Sequence, residues 1–267
     1  MLTKKDLKVL YRSGSFDFMR DTRSREVGAA VGTYMWHGTP IKYRPGTSDT
    51  TVIYEALLKS GKKSEYSVPG SLDPKVILDI GGNIGVASIF FARTFPNARI
   101  FSFEPVPENY ALLKENVSSL ANVSALPVAL GSEDKEAEIY WSREYTNLGG
   151  FSFFEKPGND ARPIRVQVKH AGRYLRALGI EKVDLIKIDT EGAEFDILTS
   201  FDEAMLANAS WIVGELHGIR DFEVLTYISR WFDMDVRRTL GKQYFMFNAC
   251  NRNFLETALK SDWRQRR

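Results

Sequence analysis

An α/β fold, with a mostly parallel sheet and helices on both of its faces, is what this chain predicts from three observations. The first is alternation: from residue 75 onward, short apolar runs are each followed by a stretch with helical spacing. The second is a glycine turn, DIGGNIG (79–85), between the first such run and its helix. The third is composition. The chain has 267 residues, 43% of them hydrophobic, enough for one large core. A net charge of +2 is too balanced for a protein that grips a phosphate backbone, so nucleic acid is not an expected partner.

The first 30 residues mix charge with Leu2, Leu7, Leu10, Phe16 and Phe18, and read as one or two short helices packing on something else. GTYMWHGTPIKYRPG (32–46) reads as a hairpin, and DTTVIYEALLK (49–59) as a helix capped by Ser48 or Asp49. Pro69-Gly70 then punctuates the chain. It divides into an N-terminal helical and hairpin segment, 1–70, and a main domain, 71–267.

In that domain KVILDI (75–80) is apolar at nearly every position, the pattern of a parallel strand buried on both faces. A helix over 83–95 stops at Pro96, a strand covers 98–104, and a helix over 107–120 has Pro107 in its first turn. ALPVAL (125–130) reads as the third strand. The stretch 131–170 breaks the rhythm: AEIYWS, GGFSFF and RVQVKH read as extra strands, a hairpin insertion. Within it, Trp141, Tyr145 and Phe151 offer flat faces to a sugar, with core or a homodimer interface as the alternative. Helix (173–179), strand (182–189), helix (192–201), strand (210–217) and helix (221–232) follow, and DVRRTL with QYFMFNA close the sheet as an antiparallel pair. The basic tail KSDWRQRR (260–267) reads as a solvated end.

Several classes are disfavoured. The single cysteine, Cys250, permits no internal disulfide and no cysteine-rich metal site. His37, His170 and His217 are too scattered in sequence for a histidine cage. No apolar run reaches the ~18 residues of a membrane span, and the opening MLTKKDLKVLYRSG lacks the apolar core of a signal peptide. A cytoplasmic, reduced protein is expected.

In sheets of this kind ligands bind beyond the carboxyl ends of the strands, and acids gather there. DIGGNIG lets the backbone approach a ligand closely and offers free N–H groups. It lacks glycine at the positions of Asn83 and Val86, so it is not a dinucleotide fingerprint, which disfavours a nicotinamide oxidoreductase. Asp79 stands two places before Gly81, and Glu104 ends the second strand, where a carboxylate can accept both hydroxyls of a ribose. KIDTEGAE (187–194) brings three more acids to the fourth strand's end. Glu191 could cap the following helix.

DIGGNIG, FEPVPENYALLKEN (103–116), KIDTEGAE and the upstream IKYRPGTSD (41–49) together resemble the FkbM-type family of class I methyltransferases, from about residue 40 to about 218. The resemblance implies a Rossmann-like class I methyltransferase fold with a seven-stranded, mostly parallel sheet. It implies S-adenosyl-L-methionine as cofactor and O-methylation of a hydroxyl on a small-molecule or glycan acceptor. Carried over by position, Asp79, Gly81, Asn83 and Gly85 fall on the cofactor loop, with the Asp79 carboxylate toward the amino-acid part. Glu104 matches the ribose acid, Asp189 lies beside the methyl group, and the adenine falls near Ala129 to Ser132. Arg44 and Asp49 match a family motif, as a structural pair or as substrate ligands.

His217 follows the fifth core strand in GELHG (214–218). A histidine titrating near ~6.5 can take the proton that the hydroxyl loses. Glu215 would orient it or serve as base itself, and a buried, satisfied histidine is the alternative. Asp189, Glu191, Glu215 and His217 would also suit Mg²⁺ or Mn²⁺ as a mixed oxygen and nitrogen set. No ligand spacing is diagnostic, so no metal is assigned and a divalent cation stays an open alternative. Two other functions stand beside O-methylation: a non-catalytic S-adenosylmethionine-binding partner in glycan or metabolite assembly, and transfer to a non-oxygen acceptor. Asp-Thr-Glu-Gly (189–192) stands where nucleic-acid N-methyltransferases carry Asn-Pro-Pro-aromatic.

Overall fold

The computed structural model describes residues 2–24, 31–59, 66, 68–141, 162–218, 220–237 and 244–258. The N-terminal part consists of α1 (Lys4–Ser13), α2 (Phe16–Asp21), the hairpin β1 (Gly32–Trp36) and β2 (Thr39–Tyr43), and α3 (Ser48–Ile53) running into a π-helical turn (Tyr54–Leu58). The alternating part follows as β3 (Val76–Ile80), α4 (Val86–Thr94), β4 (Arg99–Phe103), α5 (Pro107–Asn116) and β5 (Val123–Leu126). Next come β6 (Ala129–Gly131), β7 (Lys135–Trp141) and β8 (Arg162–His170), which form a small sheet of their own in the order β6-β8-β7. The chain returns to the main sheet through α6 (Ala171–Ala177), β9 (Leu185–Ile188), α7 (Glu194–Thr199), α8 (Glu203–Ala207) and β10 (Trp211–Leu216). It closes with α9 (Asp221–Ile228), β11 (Phe232–Arg237), β12 (Phe245–Asn251) and α10 (Arg252–Ala258).

The main sheet has seven strands in the order β11-β12-β10-β9-β3-β4-β5. β5, β4, β3, β9 and β10 run parallel, and β12 is antiparallel to both neighbours. This is the Rossmann-like class I arrangement expected from the sequence. Period-two geometry explains why β3 is buried at every position. Ile77 joins a core with Ile89 and Phe91 of α4, while Val76, Leu78 and Ile80 join another with Leu175, Ile197 and Ile228. Val9, Phe18, Ile41 and Ile53 of the N-terminal segment belong to the first of these cores. Among the described residues no helix is long and apolar enough to cross a membrane.

Several elements differ from expectation for local reasons. ALPVAL is not one strand. Pro127 cannot donate to a ladder, and the segment divides there: Val123–Leu126 pairs with β4, whereas Ala129–Gly131 pairs with β8. The cap of α3 is Thr47, not Ser48 or Asp49; its hydroxyl accepts from the Asp49 N–H at 3.2 Å. Phe232 starts β11 rather than ending α9. The short helices α8 and α10 were not foreseen. GGFSFF, Tyr145, Phe151 and the basic tail lie outside the described residues.

Thr47 leaves the Asp49 side chain to Arg44. Asp49 is fully buried, and its Oδ2 and Oδ1 accept from Nε and Nη2 of Arg44 at 2.8 and 3.0 Å. Arg44 Nη2 also donates to Asn109 Oδ1 of α5 at 2.8 Å. The pair therefore ties the N-terminal segment to the main domain. Removing one partner of a buried pair strands the other charge. Asp49→Ala should lose about 3 kcal/mol in urea unfolding, with Asp49→Asn milder; wild-type stability in Asp49→Ala would show that the tie is dispensable.

Candidate active site

β3, β4, β9 and β10 end at one edge of the sheet, and the residues around their ends build the site. Register places Ser102, Asp79 and Lys187 in one cross-strand row, on the same face as Ile77. The Asp79 Oδ2 accepts from Ser88 Oγ of α4 at 2.6 Å and from Ser102 Oγ at 3.1 Å, and its Oδ1 lies 3.3 Å from Lys187 Nζ. The same ammonium, on a residue only 3% exposed, donates to the Gly81 carbonyl at 2.6 Å. Lys187 thus neutralises Asp79 and pins the glycine turn in one contact pair.

The turn itself is shaped by close approach. Gly81 has φ +81, and a Cβ there would overlap the Asp189 carbonyl oxygen, so only glycine passes. Asn83, at φ +48, donates its N–H to Glu104 Oε2 at 2.8 Å. Glu104 Oε1 accepts from the Val106 N–H at 2.9 Å. Burial outweighs these hydrogen bonds and raises the Glu104 carboxyl to about 7.

Between these parts lies an open cleft of about 550 Å³, counting the solvent at its mouth. Phe103, Val106, Ala129, Leu130 and Ile197 give it apolar walls, and Gly81, Glu104, Asn109 and Asp189 its polar features. Of the residues assigned to the cofactor from the sequence, Gly81, Glu104 and Asp189 line this one cleft, and Asn83 adjoins it through Glu104. Three do not reach it. Asp79 is turned inward, its carboxylate consumed by Lys187 and two serines. Gly85 opens α4 and backs onto Leu113 of α5. Ser132 is exposed and outside the lining, whereas Ala129 and Leu130 of the same stretch form part of it.

Beside Asp189, four carboxylates converge on the His217 imidazole. Nε2 stands 3.5 Å from Asp189 Oδ1, 3.5 Å from Glu215 Oε2 and 3.7 Å from Glu191 Oε2. Nδ1 stands 3.3 Å from Glu194 Oε1, an ion-pair contact without hydrogen-bond geometry. Burial disfavours charge on the ring, but Glu194, Glu215, Asp189 and Glu191 outweigh it and push His217 up to about 11. These surroundings favour the protonated ring, which weighs against the expected histidine near its ordinary value, poised to take a proton. Burial and the Asp189 charge raise Glu215. Burial alone would raise Glu194 too, but His217 and the Thr190 N–H hold it below the usual range.

Glu191 does not cap α7. No side chain does: Glu194, the first residue of α7, instead ties down the loop before it, accepting from the N–H of Thr190 at 2.9 Å and of Gly192 at 3.3 Å. Lys187 and Glu194 were legible only as the ends of KIDTEGAE; a lysine inside an otherwise apolar strand was the available signal. His170 caps α6 through Nδ1, and His37 sits in the β1–β2 turn. Lys187→Met should cost about 3–5 kcal/mol in thermal or urea unfolding by leaving Asp79 as a lone buried charge. Adding Asp79→Asn should recover part of that loss; a double variant no better than the single would refute the pairing.

Residues 79–248 match the methyltransferase FkbM domain. The AMB antimetabolite synthetase AmbE of Pseudomonas aeruginosa is 27% identical over 65% of this chain and 10% of its own length. Methyltransferase sdnD of Sordaria araneosa is 30% identical over 52% of this chain and 64% of its own. The 2-O-methyltransferase NoeI of Sinorhizobium fredii is 29% identical over 50% of this chain and 59% of its own. The chain therefore spans less than two thirds of each of these relatives. With the matched domain running from the buried Asp79 to Asn248 of the closing strand, the chain belongs to the FkbM methyltransferase family.

Proposed function

We propose that the protein is an S-adenosylmethionine-dependent methyltransferase that acts on a hydroxyl of a sugar or natural-product scaffold. The observation that carries the reading is the cleft itself, in which the Gly81 turn, the buried Glu104 and Asp189 meet apolar walls from β4, β6 and α7. Those parts fit the cofactor's three pieces. Glu104 receives the ribose hydroxyls, Ala129 and Leu130 flank the adenine, and the Gly81 turn admits the amino-acid portion against bare backbone. Asp79 acts from beneath as a positioning residue, through Lys187 and Gly81. Carboxylates around Asp189 suit the positive charge of a sulfonium.

The bound cofactor supplies a methyl group on cationic sulfur, which leaves as a neutral thioether when the acceptor oxygen forms the new C–O bond. The hydroxyl proton must go to the protein. The carboxylates around His217 favour its protonated form, so a carboxylate of the cluster is the better acceptor; Glu215, buried beside Asp189, is the best placed. NoeI, by its name an O-methyltransferase, supports an oxygen acceptor. The apolar cleft supports a small molecule or glycan end over a macromolecular surface, with the reaction in the cytoplasm.

Calorimetric titration with S-adenosylhomocysteine should show micromolar binding; none would sink the reading. Below about pH 7 a protonated Glu104 loses one acceptor oxygen, and above it the carboxylate can serve both ribose hydroxyls. Affinity should therefore rise between about pH 6 and pH 8 and lose that slope in Glu104→Gln. A pH-independent wild type would remove Glu104 from the ribose role.

A further inference from the structure

We infer that Arg44 is a positioning residue for cofactor binding. It fixes the Asn109 side-chain amide with its NH2 group toward the Glu104 carboxylate, and so links the N-terminal segment to that acid. The inference rests on the proposed function for one point, that Glu104 receives the ribose.

Three donors hold the Glu104 carboxylate. Two are backbone N–H groups, of Asn83 to Oε2 at 2.8 Å and of Val106 to Oε1 at 2.9 Å, and the chain sets their directions. The third is the Asn109 side chain. It stands on the first turn of α5, is 1% exposed and lines the same cleft. An asparagine amide is two-fold at its last torsion, so its oxygen and its NH2 group can exchange places. Turned the other way, Asn109 would set a carbonyl oxygen against a buried carboxylate.

Arg44 removes that choice. A guanidinium has donors only, so the Asn109 atom that Arg44 Nη2 meets at 2.8 Å is the amide oxygen. The NH2 group is the half left for Glu104. Arg44 is held in turn by Asp49, through Nε, Nη2 and its own backbone N–H at 2.8, 3.0 and 2.9 Å. Arg44 is not among the residues that line the cleft, so its route to the site runs through Asn109.

A donor to the ionised carboxylate lowers its pKa, so losing the Asn109 bond should raise Glu104 further. The other charged groups near Glu104 are untouched by such a change. Lys187 acts on it from β9, and Asp189 and Glu191 line the same cleft.

The test is a carboxyl ¹³C nuclear magnetic resonance titration of the full chain without cofactor, with Glu104 assigned by the signal lost in Glu104→Gln. Asn109→Leu keeps the Arg44–Asp49 pair, and Arg44→Met with Asp49→Asn removes both charges together, so neither strands a buried ion. Each should move the Glu104 midpoint up by about 0.5 to 1 pH unit, roughly a 3- to 10-fold gain in proton affinity. Tyr43→Phe, which loosens the N-terminal segment by giving up a bond to Asp21, should leave the midpoint in place. Affinity for S-adenosylhomocysteine should fall several-fold at about pH 7 in both relay variants and recover at about pH 9, a recovery that a loosened fold would not give. The wild type supplies a readout free of substitutions: the Asn109 NH2 resonances should shift with the Glu104 midpoint. An unmoved midpoint in either relay variant, or Asn109 resonances indifferent to pH, would overturn the relay. Wild-type cofactor binding with an unmoved midpoint removes the relay alone. A moved midpoint without cofactor binding leaves the relay and removes the methyltransferase reading.

Discussion

The Lys187 ammonium stands where three strands and the glycine turn meet, and most of the site depends on it. It lies in the middle of the sheet, in register with Asp79 and Val213, with essentially no access to water. A lone charge there would be costly. Asp79 offsets that cost, and two serine hydroxyls satisfy the remaining side of the carboxylate. What the arrangement gains is geometric. The Gly81 carbonyl is held toward the sheet, which lets the turn run against the Asp189 backbone and leaves the space above it open.

From that anchor the other constraints follow in sequence. The turn carries Asn83 into αL geometry, where its N–H meets Glu104, so the second strand's acid is oriented by the first strand's loop. Glu104 is thereby tied to both Asn83 and Val106 and cannot swing into solvent. On the other side, the Asp189 carbonyl packs on Gly81 while its side chain faces the His217 cluster. A change at Gly81 would be felt by the cleft and by the cluster together, since both share the backbone of Asp189.

The electrostatics of this sheet end are lopsided. Asp79, Glu104, Asp189, Glu191, Glu194 and Glu215 gather there, with Lys187 and His217 among them to pair with the acids. Lys187 is committed to Asp79, so the acids around His217 share one ring. Such a concentration of negative charge favours the protonated His217 ring, raises Glu215, and would favour a cationic ligand. This crowding weighs against the neutral histidine base expected from sequence. Spacing along the chain showed Glu215 next to His217, but not that Glu194, at the start of α7, closes on the opposite nitrogen.

The sequence by itself determined the alternation of the main strands and helices, the glycine turn, the acid at the end of β4 and the acidic string after β9. Those features are local, set by hydrophobic period, turn chemistry and residue type. Only the tertiary structure decided which way each side chain faces and what it meets. Asp79 and Glu104 read alike as strand-end acids, yet the pleat turns one into the sheet toward Lys187 and leaves the other at the cleft wall. ALPVAL read as one strand because its apolar residues are continuous; Pro127 and the competing edge of β8 divided it. Likewise Arg44 and Asp49 were a motif without a role until folding buried their carboxylate and set Asn109 beside the guanidinium. Partners 65 to 109 residues apart, such as Arg44 with Asn109 and Lys75 with Asp184, leave no periodic trace in sequence, because they are chosen by strand register and packing.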